Sequence, residues 1–326
     1  MLSDTSAENA SVGPGASVTF AHISDLHLPP PALSWRRFLN KRLLSRHYWQ
    51  QHRRHQHLPA IRDRMLADIT RDRQLNALLI TGDLTNFGTP EEFSQAARWL
   101  KTLPLPALLV PGNHDAMVAA PYAQTGKLWE PWSAEHYPYI RHFGNVAVIG
   151  LNSAVPTPPF MAYGHIGAKQ LTRLGAILAT LKDQNICRIL MLHHPPQRGL
   201  DSRLKSLRDT EALGKVLQQH GTELVLHGHT HQATLSEIGN ANIPLLGVGA
   251  TSMKHDHPER MASWNRICIT RPAHFQDQTS SSSQGWQFEV TRRSAEGAVL
   301  QNICWNSEDF RGSLRTPPAQ WQGGKA

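Results

Sequence analysis

Five short motifs occur in a fixed order along this chain, and each stands directly after an apolar run. They are Asp25-Leu26-His27, Gly82-Asp83, Gly112-Asn113-His114-Asp115, His193-His194 and Gly228-His229-Thr230-His231. The runs before them cover 18–23, 77–80, 107–110, 187–192 and 223–226. They are near-continuous rather than alternating, as expected of strands covered on both faces. Helical spacing fills the intervals: 61–70 has apolar residues at 61, 65, 66 and 69, 91–100 follows a Thr-Pro start, and 168–181 repeats the same period. Alternating strand and helix predicts an α/β fold in which loops at the carboxyl ends of the strands bring side chains to one place.

The side chains so delivered are oxygen and nitrogen donors. Seven such donors drawn from these motifs and converging at one place are enough to hold two divalent metals about 3.5–4 Å apart. Such a mixture suits Mn²⁺, Fe, Co²⁺ or Zn²⁺ and does not select among them. A single His or Asp at a strand end usually only caps or closes a loop, so the ordered set carries the inference. No serine, and none of Cys187, Cys268 and Cys304, sits in a nucleophile motif.

The order D-x-H, G-D, G-N-H-D, H, G-H-x-H, spread over 18 to about 253, resembles the calcineurin-like metallophosphoesterases. In wording (HISDLHL, TGDLT, PGNHD, HHPP, GHTH) the chain is most similar to the bacterial class III cyclic-nucleotide phosphodiesterases and related small-molecule phosphohydrolases. The resemblance implies a four-layer αββα sandwich of two mixed β-sheets flanked by helices, with a dimetal site at the strands' carboxyl ends. It implies Asp25, His27, Asp83 and His231 at the first metal, Asp83 bridging, and Asn113, His193 and His229 completing the second. It implies His114 as a catalytic residue beside the leaving group, with Asp115 orienting its ring. The reaction implied is cleavage of a phosphodiester or pyrophosphate bond by a metal-bridging hydroxide. His194 is expected beside the site in a structural or a substrate-contacting role. His22 is expected to be packed, and Asn152-Ser153 to serve a loop.

With 40% hydrophobic residues the chain can bury one large core, and a single domain over 17–310 is expected. Residues 1–16 and 311–326 read as disordered, and 276–285 as a flexible loop. The runs 243–248, 264–270, 286–290 and 299–305 are expected to form the second sheet. The start has neither a basic stretch nor an apolar core, and no stretch reaches the roughly 18–20 apolar residues of a membrane span. The three cysteines read as reduced core residues, and a cytoplasmic location follows.

One segment, 29–60, departs from a compact pattern as a basic amphipathic insertion. It has no acidic residue, and seven Lys and Arg between Arg36 and Arg54 nearly account for the formal charge of +8. Trp35, Phe38, Leu39, Leu43, Leu44 and Trp49 fall at loosely helical spacing. The segment is read in three ways: a cover whose apolar stripe packs on the core, a basic face over the site for a large anionic substrate, or a peripheral membrane contact through 33–57 at the inner face. Nucleic acid ranks lower for want of a separate binding module. The substrate is accordingly a phosphorylated small molecule such as a cyclic nucleotide, or alternatively a lipid-linked nucleotide such as UDP-2,3-diacylglucosamine. A non-catalytic scaffold is disfavoured because every ligand position is filled.

Overall fold

The computed structural model describes residues 17–239, 241–271 and 285–313. Six of the seven residues of β1 (Ser17–Ile23) are buried, so this strand has both faces covered and both edges paired. Along one edge it runs parallel to β2 (Ala77–Ile80), which pairs in turn with β3 (Ala107–Leu109). Along the other it runs antiparallel to β10 (Ser263–Thr270), followed by β11 (Gln287–Ser294) and β12 (Val299–Asn306). The second sheet contains β4 (Tyr139–Phe143), β5 (Val146–Gly150), β6 (Cys187–Met191), β7 (Leu224–His227), β8 (Leu235–Glu237) and β9 (Pro244–Gly247), in the order β4-β5-β6-β7-β9-β8. The expectation that all the late runs build the second sheet is therefore corrected. Only β9 joins it, while β10 to β12 extend the first sheet because the free edge of the buried β1 must be paired.

Helices α1 (Arg42–Tyr48) and α2 (Arg54–Gln56) lie in the 29–60 segment, joined by a π-helical turn, Trp49–Arg53. Helices α3 (Pro59–Arg71) and α4 (Pro90–Leu100) place Met65, Ile69, Phe93 and Ala96 on the outer face of the first sheet. Helices α5 (Ala168–Asp183) and α6 (Thr210–His220) place Leu174, Leu178, Leu213 and Leu217 on the outer face of the second. Between the sheets Phe20, Leu79, Val148, Ile189, Leu226, Ile267 and Phe288 form one core. The result is the four-layer αββα sandwich, and both sheets aim the carboxyl ends of their parallel strands at one edge.

The 29–60 segment is not the simple cover with an inward apolar stripe. Phe38 is buried, but Arg42 is 6% exposed while Leu39 is 70%, Leu43 58% and Leu44 48% exposed. The reason lies underneath. The loop after β2 presents the carbonyls of Phe87 and Gly88, and Arg42 donates to them at 2.6 and 2.8 Å. A leucine in that place would leave both carbonyls buried without a donor. Lys41 Nζ reaches Thr157 O at 2.5 Å, and Leu58 N donates to Ser252 O at 2.8 Å, so the segment is fastened near its middle and at its carboxyl end.

At the carboxyl end of the domain, residues 311–313 continue a short helix, Phe310–Ser313, and Arg311 pairs with Glu237 at 2.7 Å, so that part of the expected tail is ordered. The expected loop 276–284 and the terminal 1–16 and 314–326 lie outside the described residues. The cysteines are free, but only Cys187 is buried and Cys304 is exposed, which corrects its reading as a core residue. Among the described residues no helix is long and apolar enough to cross a membrane.

Candidate functional site

The loops after β1, β2, β3, β6 and β7 meet at the shared edge of the two sheets. The first two are stitched together by Asp25 N to Gly82 O and His27 N to Asp83 O, both 3.0 Å. Asp25, His27, Asp83, His229 and His231 all have φ between 43° and 69°. That left-handed conformation is disfavoured for side-chain-bearing residues and is tolerated where the surroundings hold it. Close approach explains two glycines. At Gly82 (φ 105°) a Cβ would stand 2.7 Å from His193 Nδ1, and at Gly228 one would stand 2.9 Å from Asp25 Oδ2.

The seven expected ligand side chains come together. Asp83 Oδ2 lies between His193 Nε2 at 3.4 Å and His27 Nε2 at 3.9 Å, which is where a bridging carboxylate oxygen would stand. His231 Nε2 is 3.2 Å from Asp25 Oδ1. Asn113 Oδ1 is 3.1 Å from His193 Nε2 and 2.9 Å from His229 Nδ1. Backbone carbonyls fix the ring protons outward: His27 Nδ1 faces Thr85 O at 3.2 Å, His193 Nδ1 faces Thr81 O at 2.7 Å, and His229 Nε2 faces Lys205 O at 3.1 Å. His229 Nε2 also meets Asp201 Oδ2 at 3.1 Å.

The inward atoms test whether cations fit. His229 Nδ1 and Asn113 Oδ1 are both acceptors, and His27 Nε2 is buried without a hydrogen-bond partner. Asp25, His27 and His231, and likewise Asp25, Asp83 and His193, offer donor atoms within 4.8 Å of one another. Acceptors converging on acceptors in a dry site are costly unless a cation lies between them, so the donor set fits divalent metals. Burial holds His27 well below its usual value and therefore neutral. Burial opposes charge on Asp83, but His193, His114 and His27 around it hold the carboxyl well below the usual range. Burial also works to lower His193, yet Asp83 outweighs it and pushes the ring up to about 9, so proton and metal compete for that nitrogen.

His114 donates its backbone N–H to Asp83 Oδ1 at 2.7 Å, and its ring Nδ1 donates to Asn86 O at 2.7 Å. The expected orienting role of Asp115 is corrected. Its two oxygens accept from Asp83 N, Thr85 N, Thr85 Oγ1 and Gly112 N, each at 2.9 Å, so it pins the loops that carry Asp83 and Asn113. His194 is buried with Ser153 Oγ at 2.8 Å and Ala162 O at 3.1 Å on its ring nitrogens, and its ring stands 4.5 Å from that of His229. His22 is packed as expected, with Nε2 3.0 Å from Thr81 Oγ1.

Three further residues at the site are not among the candidates that the sequence supplied. Arg53, delivered by the π-helical turn, places Nη1 3.1 Å from His114 Nδ1 and closer still to Nε2, so its guanidinium lies against the imidazole ring. Single π-turns recur at functional positions, a signal visible only in the backbone. His57 is held on Ser252 Oγ at 2.8 Å with its ring 4.5 Å from that of His27. Asp201 orients His229, as carboxylates do for metal-binding imidazoles. Over the site is a chamber of about 450 Å³ with Arg53, Lys205 and Arg260 in its walls. It adjoins a groove of about 290 Å³ that shares Tyr48, Arg53, Asn113, His114 and Ala162 with it.

Residues 18–233 match the calcineurin-like phosphoesterase family. The chain belongs to that family. This calcineurin-like phosphoesterase is a hydrolase of phosphoric ester bonds, and its family implies two divalent metals. It is 30% identical over 205 residues, 60% of this chain and 73% of the relative, to a probable cyclic nucleotide phosphodiesterase of a Synechococcus species. It is 31% identical over 163 residues to a 3′,5′-cyclic-nucleotide phosphodiesterase of a Nostoc species, a match that spans 49% of this chain and 57% of that relative. In fold it is similar to a dimetal phosphatase from Danio rerio, with a TM-score of 0.56 at 12% identity, over 89% of this phosphoesterase and 99% of that chain.

Proposed function

We propose that this phosphoesterase hydrolyses a phosphodiester bond of a small anionic molecule, of the cyclic-nucleotide kind that its relatives' names give. The observation that carries the reading is Asp83 Oδ2 standing between His27 and His193, with acceptors converging on either side. Asp25, His27, Asp83 and His231 would hold one metal, and Asp83, Asn113, His193 and His229 the other; Mn²⁺, Fe, Co²⁺ and Zn²⁺ all suit the set. When bound, such ions acidify water and polarise phosphoryl oxygens.

The chain's own residues do the rest. Asn113 contributes a neutral donor, which limits negative charge where an anion must enter. Arg53, Lys205 and Arg260 give the chamber a positive wall that draws that anion in. His114 keeps its proton on Nδ1 against Asn86 O, and the Arg53 guanidinium lies against its ring. The guanidinium is thereby aimed into the chamber, where it can donate to a phosphoryl oxygen as charge develops. A lipid-linked nucleotide is the second reading, favoured by the apolar side chains that the 29–60 segment leaves exposed.

The test is reconstitution of the apoprotein with each candidate metal, metal counting by mass spectrometry, and turnover of 3′,5′-cyclic AMP and methyl p-nitrophenyl phosphate. Two metals per chain with diester hydrolysis, and loss of both in Asp83→Ala, is the expected result. One metal per chain, or turnover that survives Asp83→Ala, would overturn the assignment.

A further inference from the structure

The groove beside the chamber has the wrong chemistry for a purely polar substrate. One wall is α1, with Leu44 48% and Tyr48 52% exposed, and the facing wall is the loop 157–162, whose tip Phe160 is 83% exposed. That loop is built to show its ring. Thr157 Oγ1 donates to Met161 O at 2.6 Å, Ala162 N donates to Leu204 O at 3.0 Å, and Phe160 is held at φ 65°. A bulky residue in the left-handed region is an outlier that persists where the surroundings enforce it, and such outliers gather at functional sites. Lys41 ties the two walls together through Thr157 O at 2.5 Å, and the inner end of the groove is closed by Arg53, Asn113 and His114.

Exposed apolar side chains around a concavity that leads to a reactive centre mark a binding site. A nucleobase would also stack on Tyr48 or Phe160, but the lining offers its edge few of the amide or carboxylate groups that read bases bidentately. Asn113, already committed to the metal cluster, is the one such side chain in the groove's lining.

We propose that the groove holds an apolar substituent of the substrate, so that the molecule cleaved is an amphipathic phosphoester: phosphate at the metals, hydrocarbon between Leu44 and Phe160. The proposal rests on the phosphoesterase reading and departs from the cyclic-nucleotide substrate given there, taking the amphipathic class and placing its apolar part. Burial of one methylene is worth about fourfold in affinity when complete, so an open groove acting on a chain of eight carbons gives at least about tenfold.

The experiment is calorimetric binding of methyl, butyl and octyl phosphate and of adenosine 5′-monophosphate to the Mn²⁺-loaded protein. Turnover of methyl p-nitrophenyl phosphate is measured separately on the same preparation. Affinity rising at least about tenfold from methyl to octyl, with the rise lost in Leu44→Glu/Phe160→Glu and kept in the remote control Val299→Glu, is expected. A flat series overturns the proposal, as does a rise unaffected by the double variant. Adenosine monophosphate binding more tightly than octyl phosphate, and weakened in the double variant, overturns it in favour of base stacking. Loss of anionic-vesicle sedimentation in the double variant with the chain-length rise intact overturns it in favour of a membrane contact. Absent turnover with intact phosphate binding would strike the phosphodiesterase reading and leave the groove standing.

Discussion

At the scale of single residues, Arg53 sits where charge must be managed. It is drawn from a segment otherwise rich in exposed cations, and it packs on His114, whose ring burial and Arg53 itself push down to about 3. A neutral His114 does not repel the guanidinium that rests against it. Arg53→Ala should therefore keep both metals while lowering kcat by about a hundredfold, the usual loss of one preorganised donor, with partial recovery in guanidinium salts. Arg53→Lys should recover little, because a point charge does not reproduce the planar fork. Metal loss equal to the activity loss would make Arg53 a structural residue instead. His193 makes a second prediction. Its ring, pushed up to about 9 by Asp83, carries a proton that an incoming metal must displace. Affinity at that position should thus strengthen roughly tenfold per unit as pH rises towards 9, and level off above it. A titration with a metal-sensitive dye between pH 6 and 9 reads it, and a flat profile would remove His193 from the ligand set.

At the scale of elements, the strands that carry ligands were legible because they are buried on both faces: 77–80 and 107–109 are plain apolar runs that lead through Thr81 into Gly-Asp and through Val110 into Pro-Gly-Asn. β4, with only Tyr139 fully buried, and the mixed pattern of α6 gave weaker signals. The partner sheet of β10 to β12 was illegible, since alternation along a strand marks its faces and says nothing of its neighbour. Arg53 and Asp201 were illegible too, because no spacing rule links a residue at 53 or 201 to one at 114 or 229. Helix α4 shows how an element reaches the site. Thr89 caps it, accepting Glu92 N at 3.3 Å, and the Glu92 carboxylate accepts Asn86 N at 2.9 Å, Phe87 N at 3.2 Å and Thr89 N at 3.1 Å. Those bonds set the loop whose Asn86 O holds His114 and whose Phe87 O holds Arg42. Glu92→Ala should cost about 2 kcal/mol, leaving buried N–H groups without acceptors, and should also depress kcat with metal content unchanged. A fall in the denaturation midpoint with kcat intact would show that the helix cap does not reach His114.

At the scale of the whole molecule, the candidate ligands divide between the sheets. Asp25, His27, Asp83 and Asn113 follow strands of the first sheet, and His193, His229 and His231 follow strands of the second. The apolar layer between the sheets holds them together along their length. At the carboxyl edge buried carboxylates face imidazoles, and five of these residues sit in left-handed backbone, at about 1–3 kcal/mol each. Cations shared across that edge would act as a clasp. Ligand binding to the native state alone adds about 2.7 kcal/mol at a hundredfold excess over Kd, enough to move the melting temperature by several degrees. Chelation should lower Tm by that amount and restoration of metal should recover it, whereas Asp83→Asn should melt at one temperature in either condition. Hydrogen exchange supplies the spatial reading. Protection should fall on chelation at 24–28, 81–86, 112–115 and 228–231 and stay unchanged in β5 and β6. Uniform loss of protection across both sheets would mean that the metals support the whole core, and an unmoved Tm would mean that the edge closes without them.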